Sequence, residues 1–322
     1  MTMKRNSLLK ITALALVFVT AVCVFVHIRK SEIADYTDQS GVKIGNSVYR
    51  QNNNLTVLFA GIDDLGALSD TPSYRNTSQA DFVALVSVNT ESGELNLLHL
   101  NRDTMVEIDV SDISGDYTGK KITSQLALAH TYGSGGKDSM VNTVRAVSRM
   151  IYNIKIDNYV SLNMSGLKKF CDEIGGVGIK FSKDYTEINP DFKKGETVLL
   201  NGDAALSFVR ARMGVGDETN LSRMERQREF LNAFFKKISQ EKVNDTKIKK
   251  VFNSLRNTEY SFVTDMSLQK MTNTFNSFKE NGKINLYSLK GNADYTKQFT
   301  EFYLDKQCLE ETAIKLYLKK VR

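Results

Sequence analysis

Cysteine, histidine and proline are scarce in this chain of 322 residues, and the scarcity excludes several classes of protein. Three cysteines cannot build the disulfide framework of a small secreted domain. A bridge between Cys171 and Cys308 and two separate, partly buried thiols both remain open, and the second interpretation is favoured. Three histidines, without a C-x-x-C or H-E-x-x-H motif, argue against a structural zinc site. They also leave little room for a Ser-His-Asp triad.

A strong charge of one sign is also missing. Lysine and arginine total 43 against 37 acidic residues, which gives a net charge of +6. Three of the positive charges, Lys4, Arg5 and Lys10, lie in a first segment, residues 1–28, that contains no acid. The remainder is too small a bias to indicate a nucleic-acid-binding protein.

One long hydrophobic run stands in that first segment. Residues 11–28 read ITALALVFVTAVCVFVHI. At about 1.5 Å per residue, a helix of this length nearly crosses a hydrocarbon core roughly 30 Å thick. The positive charges before it place the N-terminus in the cytoplasm under the positive-inside rule. We therefore expect a cytoplasmic tail over 1–10, a single transmembrane anchor over 11–28, and an extracytoplasmic remainder at the cell membrane.

A cleaved signal peptide and a lipoprotein signal are the alternatives for this run. The run ends in HIRK at residues 27–30, where a signal peptidase requires small residues. Lipid attachment at Cys23 is disfavoured because Val22 is too large for the position before a modified cysteine. The uncleaved anchor is the prediction.

Residues 29–53 are polar and lack helical periodicity, which predicts a stalk between the membrane and a domain. From residue 54 to residue 322 there is no clear linker, internal repeat or low-complexity stretch, and only Pro72 and Pro190 interrupt the chain. We therefore expect one domain over 54–322.

Strand and helix patterns alternate along this domain, which predicts the α/β class. A turn at 89–93 joins two of the predicted strands, and Gly175 with Gly176 ends a predicted helix. The predicted strands are 55–60, 82–88, 95–100, 177–181 and 283–289, and the predicted helices are 137–151, 165–174, 202–208 and 222–239.

Five of the 14 arginines fall between residues 210 and 228. If residues 207–213 are extended, Arg210 and Arg212 share a face. On the helix that follows, Arg223, Arg226 and Gln227 share a face as well. Such a charge run is often only a solvated surface. Converging guanidinium groups, however, repel one another unless an anion lies between them, and their planar fork suits phosphate oxygens, so a phosphate or diphosphate is the expected ligand.

A second polar cluster lies at predicted strand ends. Asp63 follows the first strand, Asp81 opens the second, and Arg102 with Asp103 closes the third. The ends of strands are where α/β proteins usually place their ligands. Carboxylates beside a bound phosphate need a cation between them, and Asp63 and Asp81 are the candidates for holding Mg²⁺.

The order of these motifs resembles the LytR-CpsA-Psr family of cell-envelope proteins. The motifs lie between residues 54 and 235, with a weaker echo in VTD at 263–265, and their order is more specific than any one of them. They are GID at 61–63, DFVALVSV at 81–88, NRDT at 101–104, IGGV at 174–177, ALSFVRAR at 205–212 and SRMERQ at 222–227.

The resemblance implies a three-layer fold with a central mixed sheet and a phosphotransferase activity. Such a protein moves a glycopolymer, for example a teichoic acid or a capsule-like chain, from a polyprenyl-diphosphate carrier to a hydroxyl of peptidoglycan. Asp63 and Asp81 would hold Mg²⁺, and Asp103 would take the proton from the acceptor hydroxyl or orient Arg102. The implied diphosphate-binding residues are Arg75, Arg102, Arg210, Arg212, Arg223 and Gln227.

Three positions depart from the family's usual residues. Asn101 stands where the family usually has proline, Gln79 where it often has arginine, and Asn220 where it usually has aspartate. These departures favour a divergent branch with a different polymer or acceptor. Arg75 is then the nearest arginine to the metal-binding Asp81 on the N-terminal side.

Two other functions fit the same residues. Water as the acceptor would make a polyprenyl-diphosphate hydrolase or pyrophosphatase. A protein without catalysis could grip anionic wall polymer with its arginines as a binder or regulator. The family also holds the prenyl chain in an apolar tunnel. Val144, Val147, Phe230 and Phe234 are candidates for such a lining, although ordinary core packing is the favoured interpretation of these residues.

Overall fold

The structure is a computed structural model, and it describes residues 41–64, 76–89, 91–112, 114–240, 245–256, 261–281 and 283–321. The predicted anchor over 11–28, the first part of the predicted stalk and Arg75 lie outside the described residues. Within the described ranges, no helix is both long and apolar enough to cross a membrane.

The described residues form fifteen strands, seven α-helices and a 3₁₀ turn at Leu126–Ala129. The strands are β1 (Val42–Ile44), β2 (Ser47–Gln51), β3 (Leu55–Ile62), β4 (Ala80–Val88), β5 (Leu95–Leu100), β6 (Met105–Ser111), β7 (Tyr117–Gln125), β8 (Asn158–Asn163), β9 (Val177–Lys180), β10 (Thr197–Leu200), β11 (Phe262–Thr264), β12 (Ile284–Ser288), β13 (Gly291–Asp294), β14 (Glu301–Leu304) and β15 (Leu318–Lys320). The helices are α1 (Lys137–Met150), α2 (Met164–Glu173), α3 (Gly202–Arg210), α4 (Asn220–Gln240), α5 (Asp245–Arg256), α6 (Leu268–Asn281) and α7 (Lys306–Leu316).

Six strands build a mixed central sheet in the order β11-β8-β3-β4-β5-β12. The β3–β8 and β5–β12 pairs are parallel, whereas β3–β4, β4–β5 and β8–β11 are antiparallel. The short turn after β4 makes an antiparallel neighbour of β5, while β8 returns parallel to β3 after a connection that contains α1. The predicted α/β class and the central mixed sheet are therefore confirmed.

Helices cover both faces of this sheet because alternate strand residues point to opposite sides. On one face, Leu58, Leu85 and Leu98 are fully buried in a core that includes residues of α1 and α7. On the other face, Val86 and Leu97 pack with residues of α4 and α5. Burying one such side chain contributes about 1.5–3 kcal/mol, so both apolar faces of the sheet require their covering helices.

The observed elements match the predicted ones closely in the central strands, but the strands before residue 54 were not predicted. The strands predicted at 55–60, 82–88 and 95–100 are β3, β4 and β5. The stalk prediction over 29–53 is wrong for its last part, because β1 and β2 pair with each other and β2 also pairs with β15. A partner so far away in sequence leaves no trace in the local pattern.

A second correction concerns the arginine segment. Residues 207–210 are helical, because α3 continues to Arg210, and the helix ends at Ala211 with a backbone ψ of 134°. The proposed shared face of Arg210 and Arg212 on a strand is therefore wrong. The two thiols, in contrast, are separate as favoured: Cys171 is buried, Cys308 is half-buried, and both are free. Burial raises the pKa of Cys171 to about 12, so this thiol is unreactive at neutral pH.

Two histidines, His99 and His130, are buried in the folded chain, and the charge of Asp64 near His130 only partly opposes the effect of its burial. Burial, together with the charges of Arg228 and Arg223, lowers the pKa of His99 to about 3, while a hydrogen bond with Gln227 opposes the shift. Burial likewise lowers the pKa of His130 to about 4, although its Nδ1 donates a hydrogen bond to the Ser78 carbonyl oxygen at 2.9 Å. Both imidazoles are therefore neutral in the native protein at neutral pH.

These shifts predict a loss of stability in mild acid. The unfolded chain binds protons at pKa values near 6.5, whereas the folded chain resists them until about pH 4 for His130 and about pH 3 for His99. The free energy of unfolding should fall with decreasing pH below 6.5, by up to about 1.4 kcal/mol per pH unit for each histidine. Urea unfolding of the His130→Gln variant between pH 4 and 6.5 should show a shallower slope than the wild type.

A matched control adds a histidine instead of removing one. Gln269 is exposed on α6, so Gln269→His adds a group with the same pKa in both states and should leave the slope unchanged. Equal slopes for the wild type and His130→Gln would contradict the assignment of a depressed pKa to His130.

Candidate active site

The polar residues predicted at strand ends meet at one edge of the central sheet. β3 ends immediately before Asp63, and β5 ends immediately before Asn101. β4 runs antiparallel to both strands, so its first residues lie at the same edge. Strands that are central in the sheet thus deliver the carboxylates and Arg102 to one place.

A β-bulge directs Asp81 out of the strand. Gly61 pairs with Phe82 and Ile62 pairs with Ala80, which leaves Asp81 as the extra residue of β4. Bulges re-aim a side chain in this way and are frequent beside active sites. Gly61 is needed opposite the bulge, because a Cβ there would lie 3.0 Å from the Cβ of Phe82.

Asp81 lies between two arginines. Its Oδ1 accepts a hydrogen bond from Nη1 of Arg102, and its Oδ2 lies 2.8 Å from Nη1 of Arg223. The Arg223 side chain is 4% exposed and that of Arg102 is 13% exposed. Burial lowers the pKa of Arg223, and the Asp81 charge opposes that shift. Arginine stays protonated nonetheless, so two cations share one carboxylate.

The remaining arginines of the predicted clamp are more open. Nη2 of Arg210 lies 3.5 Å from Oδ1 of Asp63, and both side chains are well exposed. Arg212 donates from Nε to the Glu218 carbonyl oxygen at 3.0 Å. Its charge also acts on Asp103, so it lies in the electrostatic field of the same site.

Three neutral amides tie this cluster together, and they are the three residues that depart from the family pattern. Oε1 of Gln79 accepts a hydrogen bond from Nη2 of Arg102. Nδ2 of Asn220 donates to Oδ1 of Asn101 at 2.7 Å, and Oδ1 of Asn220 accepts from Nη2 of Arg223 at 2.7 Å. The departures therefore form an interlocking hydrogen-bond network. Sequence reasoning noted these residues only as differences and did not assign them this positioning role.

Asp103 presents its two carboxylate oxygens to different surroundings. Oδ1 lies 3.4 Å from Nε of Arg102 and accepts a hydrogen bond from Nε2 of Gln125 at 3.3 Å. Oδ2 is buried and has no hydrogen-bond partner among the described residues. Burial raises the pKa of Asp103, and the charges of Arg102, Arg212 and Arg223 oppose the shift. A buried acceptor without a partner is the feature that a substrate hydroxyl would satisfy.

The polar residues of helix α4 contact different parts of the structure. Arg223 reaches Asp81, and Gln227 contacts both His99 and the Val209 carbonyl oxygen, the latter at 3.3 Å. Arg226 is buried and hydrogen-bonds to the carbonyl oxygens of Phe208 and Ala211 at the end of α3. The expectation that Arg226 converges on the anion site is wrong, because it instead satisfies carbonyl groups at a helix C-terminus.

An apolar cavity of about 460 Å³ opens onto this cluster. It lies between the sheet and the helices α2, α3, α4, α5 and α6, and its volume is within the usual range for ligand pockets. Polar side chains at the sheet edge form one end of its lining, namely Asp63, Asp81, Arg210, Arg223 and Gln227.

Two of the four residues predicted to contact a lipid chain line this cavity. Phe230 and Phe234 line it, together with Phe59 and Phe82 of the sheet. Val147 is instead buried in the core on the opposite face of the sheet, and Val144 packs against that core. For Val144 and Val147 the favoured interpretation, ordinary core packing, is therefore confirmed, and neither residue lines the cavity.

The carboxylates of Asp63 and Asp81 could supply some, but not all, of the ligands of a magnesium ion. Asp63 and Asp81 lie at the same end of the cavity, and both remain partly exposed. No group of three or more His, Cys, Asp or Glu side chains that could hold a metal occurs in the described ranges. Two carboxylates fit the usual Mg²⁺ site in which phosphate oxygens and waters complete the shell. The donor types are therefore compatible with Mg²⁺ beside a bound phosphate, although each oxygen of Asp81 faces an arginine and Asp63 is the more accessible of the two carboxylates.

The amide network predicts an energetic coupling between Asn101 and Asn220. Each single alanine substitution leaves buried groups unpaired and should cost about 1–3 kcal/mol of unfolding free energy. The double variant Asn101→Ala/Asn220→Ala should cost clearly less than the two single costs together, because both remove the same hydrogen bond. Urea unfolding of the wild type, the two single variants and the double variant measures these costs.

The control pair is Asn101→Ala and Asn285→Ala, whose side chains share no hydrogen bond. The unfolding free-energy changes of these two substitutions should be additive. Additivity in the first cycle would contradict the network.

Comparisons with known proteins show the family of this chain. The LytR_cpsA_psr family model matches residues 22–317. The polyisoprenyl-teichoic acid–peptidoglycan teichoic acid transferase TagV of Bacillus subtilis (strain 168) is 28% identical over 260 residues, which are 78% of this chain and 60% of that protein. The transferase of the same description, TagU, of Halalkalibacterium halodurans is 31% identical over 185 residues, which are 58% of this chain and 53% of that protein. The chain thus spans between half and two thirds of the length of these relatives.

Solved structures show the same fold. The crystal structure of B. subtilis TagV superposes with a TM-score of 0.61 at 26% identity and covers 82% of this chain and 95% of that one. The structure of TagT bound to LIIa-WTA gives a TM-score of 0.62 at 23% identity, with 82% of this chain and 89% of that one covered. Since the family model covers most of the sequence and the fold agrees, this chain belongs to the LytR-CpsA-Psr family.

Proposed function

We propose that this protein is a phosphotransferase that moves a glycopolymer from a polyprenyl-diphosphate carrier to a hydroxyl of peptidoglycan. The observation that carries the proposal is an apolar cavity that ends at a cluster of arginines and carboxylates. This arrangement suits a ligand with a long hydrocarbon tail and an anionic head. The named activity of the relatives TagV and TagU supports the same substrate class.

The cavity would hold part of the prenyl chain. Its walls are apolar side chains of the sheet and of the surrounding helices. Each buried CH₂ group contributes about 0.8 kcal/mol to binding, so a few isoprene units provide most of the affinity. The diphosphate would then lie at the polar end of the cavity, beside Arg210 and Arg223.

The arginines would bind and orient the diphosphate. Arg102 and Arg223 now share Asp81, and both have further N–H donors available for phosphate oxygens. The more exposed Arg210 and Arg212 would contact the phosphate that carries the glycopolymer. Preorganised positive charge of this kind stabilises the transition state of phosphoryl transfer. Asp63 and Asp81 would hold Mg²⁺, which when bound neutralises charge on the phosphate oxygens.

Asp103 would accept the proton of the acceptor hydroxyl at its unpartnered Oδ2. The hydroxyl oxygen then forms a bond to the phosphorus that carries the glycopolymer. The bond from that phosphorus to the bridging oxygen breaks, and polyprenyl monophosphate leaves with the electron pair. Oδ1 meanwhile faces Arg102 and Gln125, so one carboxylate both orients an arginine and receives a proton.

The cellular placement belongs to the same proposal. Residues 11–28 would anchor the chain in the cell membrane as a single span, with the described domain on the outer face. A polyprenyl-linked substrate resides in that membrane, so the anchor would hold the domain near its substrate.

A labelled-donor assay tests the proposed transfer. The full chain in detergent micelles receives Mg²⁺, peptidoglycan and a polyprenyl-diphosphate oligosaccharide labelled in its sugar. We expect the label on peptidoglycan, with one polyprenyl monophosphate released per sugar attached. Label found only as free sugar phosphate, with peptidoglycan present, would identify a hydrolase. An unchanged donor would identify a binding protein.

Variants of the two carboxylates sharpen this assay. Asp63→Ala and Asp81→Ala should each lower transfer by roughly 100-fold or more, because electrostatic stabilisation at the phosphate is lost. Asp191→Ala, at an exposed loop position, should transfer at the wild-type rate. Full transfer by both carboxylate variants would exclude the proposed role of Asp63 and Asp81.

Asp103→Asn tests the proton acceptor separately. The variant should bind the lipid diphosphate normally, but its transfer rate should fall roughly 100-fold or more. In the wild type, the rate should decline as pH falls through the pKa of Asp103, which burial places above the ordinary value of 3.8. A rate within about threefold of the wild type would show that Asp103 only orients Arg102.

A further inference from the structure

The hairpin formed by β13 and β14 is attached directly to the Asp103 segment. The backbone N–H of Phe302 donates to the Asp103 carbonyl oxygen at 2.9 Å, and Phe302 also forms a parallel bridge with Thr104. Nε2 of Gln125 donates to the Thr300 carbonyl oxygen at 2.6 Å and to Oδ1 of Asp103 at 3.3 Å. One amide group therefore contacts both the hairpin and the carboxylate proposed to accept the substrate proton.

The hairpin buries one face and presents aromatic rings on the rest of its surface. Phe302 is 3% exposed, whereas its neighbour Tyr303 is 50% exposed on the opposite face. Tyr295 and Phe299, in the turn, are 58% and 66% exposed. Three exposed rings within one hairpin are unfavourable in water, and such exposed apolar surface marks a candidate binding surface.

Oxygen and amide groups accompany these rings. Tyr303 lies opposite Asn292 in the hairpin register, and Asp294 lies opposite Glu301. The hydroxyl of Tyr303 donates to Oε2 of Glu301 at 2.5 Å, which fixes the orientation of the ring. Rings flanked by an amide and carboxylates match a sugar, whose C–H faces are apolar and whose hydroxyl groups need hydrogen-bond partners.

We propose that this hairpin binds the acceptor glycan and delivers its hydroxyl to Asp103. The acceptor role rests on the proposed function, whereas the binding of a sugar chain does not. Continuity with the site supports this occupant, because the Phe302 N–H donates to the Asp103 carbonyl oxygen and Gln125 contacts both the hairpin and the Asp103 carboxylate. The hairpin carries two carboxylates, Asp294 and Glu301, against one lysine, Lys297, so its charge favours a neutral glycan over an anionic polymer.

Titration of the full chain with chitotetraose, a neutral N-acetylglucosamine oligosaccharide, tests the proposal by calorimetry. The double variant Phe299→Ala/Tyr303→Ala should raise the Kd by about tenfold or more, since each ring contributes a stacking contact. Tyr303→Phe keeps the ring and should bind within about threefold of the wild type. Leu199→Ala removes a side chain that is 64% exposed on β10, so it serves as the matched control with an unchanged Kd.

A second readout uses the transfer assay. The double variant should raise the KM for the glycan acceptor and leave the binding of the lipid-diphosphate donor unchanged. An unchanged Kd for chitotetraose in the double variant, with unchanged thermal stability, would overturn the proposal. The proposal would also be overturned if the double variant lost binding to phosphatidylglycerol vesicles but kept chitotetraose binding. That result would identify the hairpin as a membrane contact. If no transfer occurs but the rings are required for chitotetraose, the glycan site stands and the proposed function fails.

Discussion

The carboxylate of Asp81 is the interaction on which the rest of the site depends. It faces both Arg102 and Arg223, and the latter is almost completely buried. Two like charges 4 Å apart repel by about 4 kcal/mol at an effective dielectric constant of 20, so the arginines could not converge here without an anion. Asp81 supplies that anion in the free protein. Because it is the extra residue of a β-bulge, the sheet itself determines where the carboxylate points.

The neutral amides of Gln79, Asn101 and Asn220 hold the arginines beside Asp81 in place. Arg102 and Arg223 need partners that hold their orientation without cancelling more of their positive charge. Gln79 and Asn220 provide carbonyl oxygens for this purpose, and Asn220 is in turn held by Asn101. Because these amide partners are uncharged, they add no negative charge beyond that of Asp63, Asp81 and Asp103, which already face the arginines.

The two faces of the sheet have different tasks. On the side of α1 and α7, closely packed leucines and valines form an ordinary core. On the side of α4, α5 and α6, the helices leave a cavity that runs to the polar edge. The β13–β14 hairpin approaches Asp103 from another part of the chain. A lipid chain, a diphosphate and a sugar chain would thus each meet a surface of matching chemistry around one carboxylate cluster.

Local sequence patterns alone determined the strands β3, β4 and β5, the turn between the last two, and the helix α1. Period-two and helical apolar patterns depend on near neighbours, so they are readable without tertiary information. The positions of Asp63, Asp81 and Asp103 at strand ends followed from the same patterns. Only the tertiary structure decided that Arg226 serves a helix end, that Val144 and Val147 face away from the cavity, and that Asn101 meets Asn220 across 119 positions. An apolar stripe does not encode which face of a sheet it will cover, and a side-chain hydrogen bond between distant segments has no local signature.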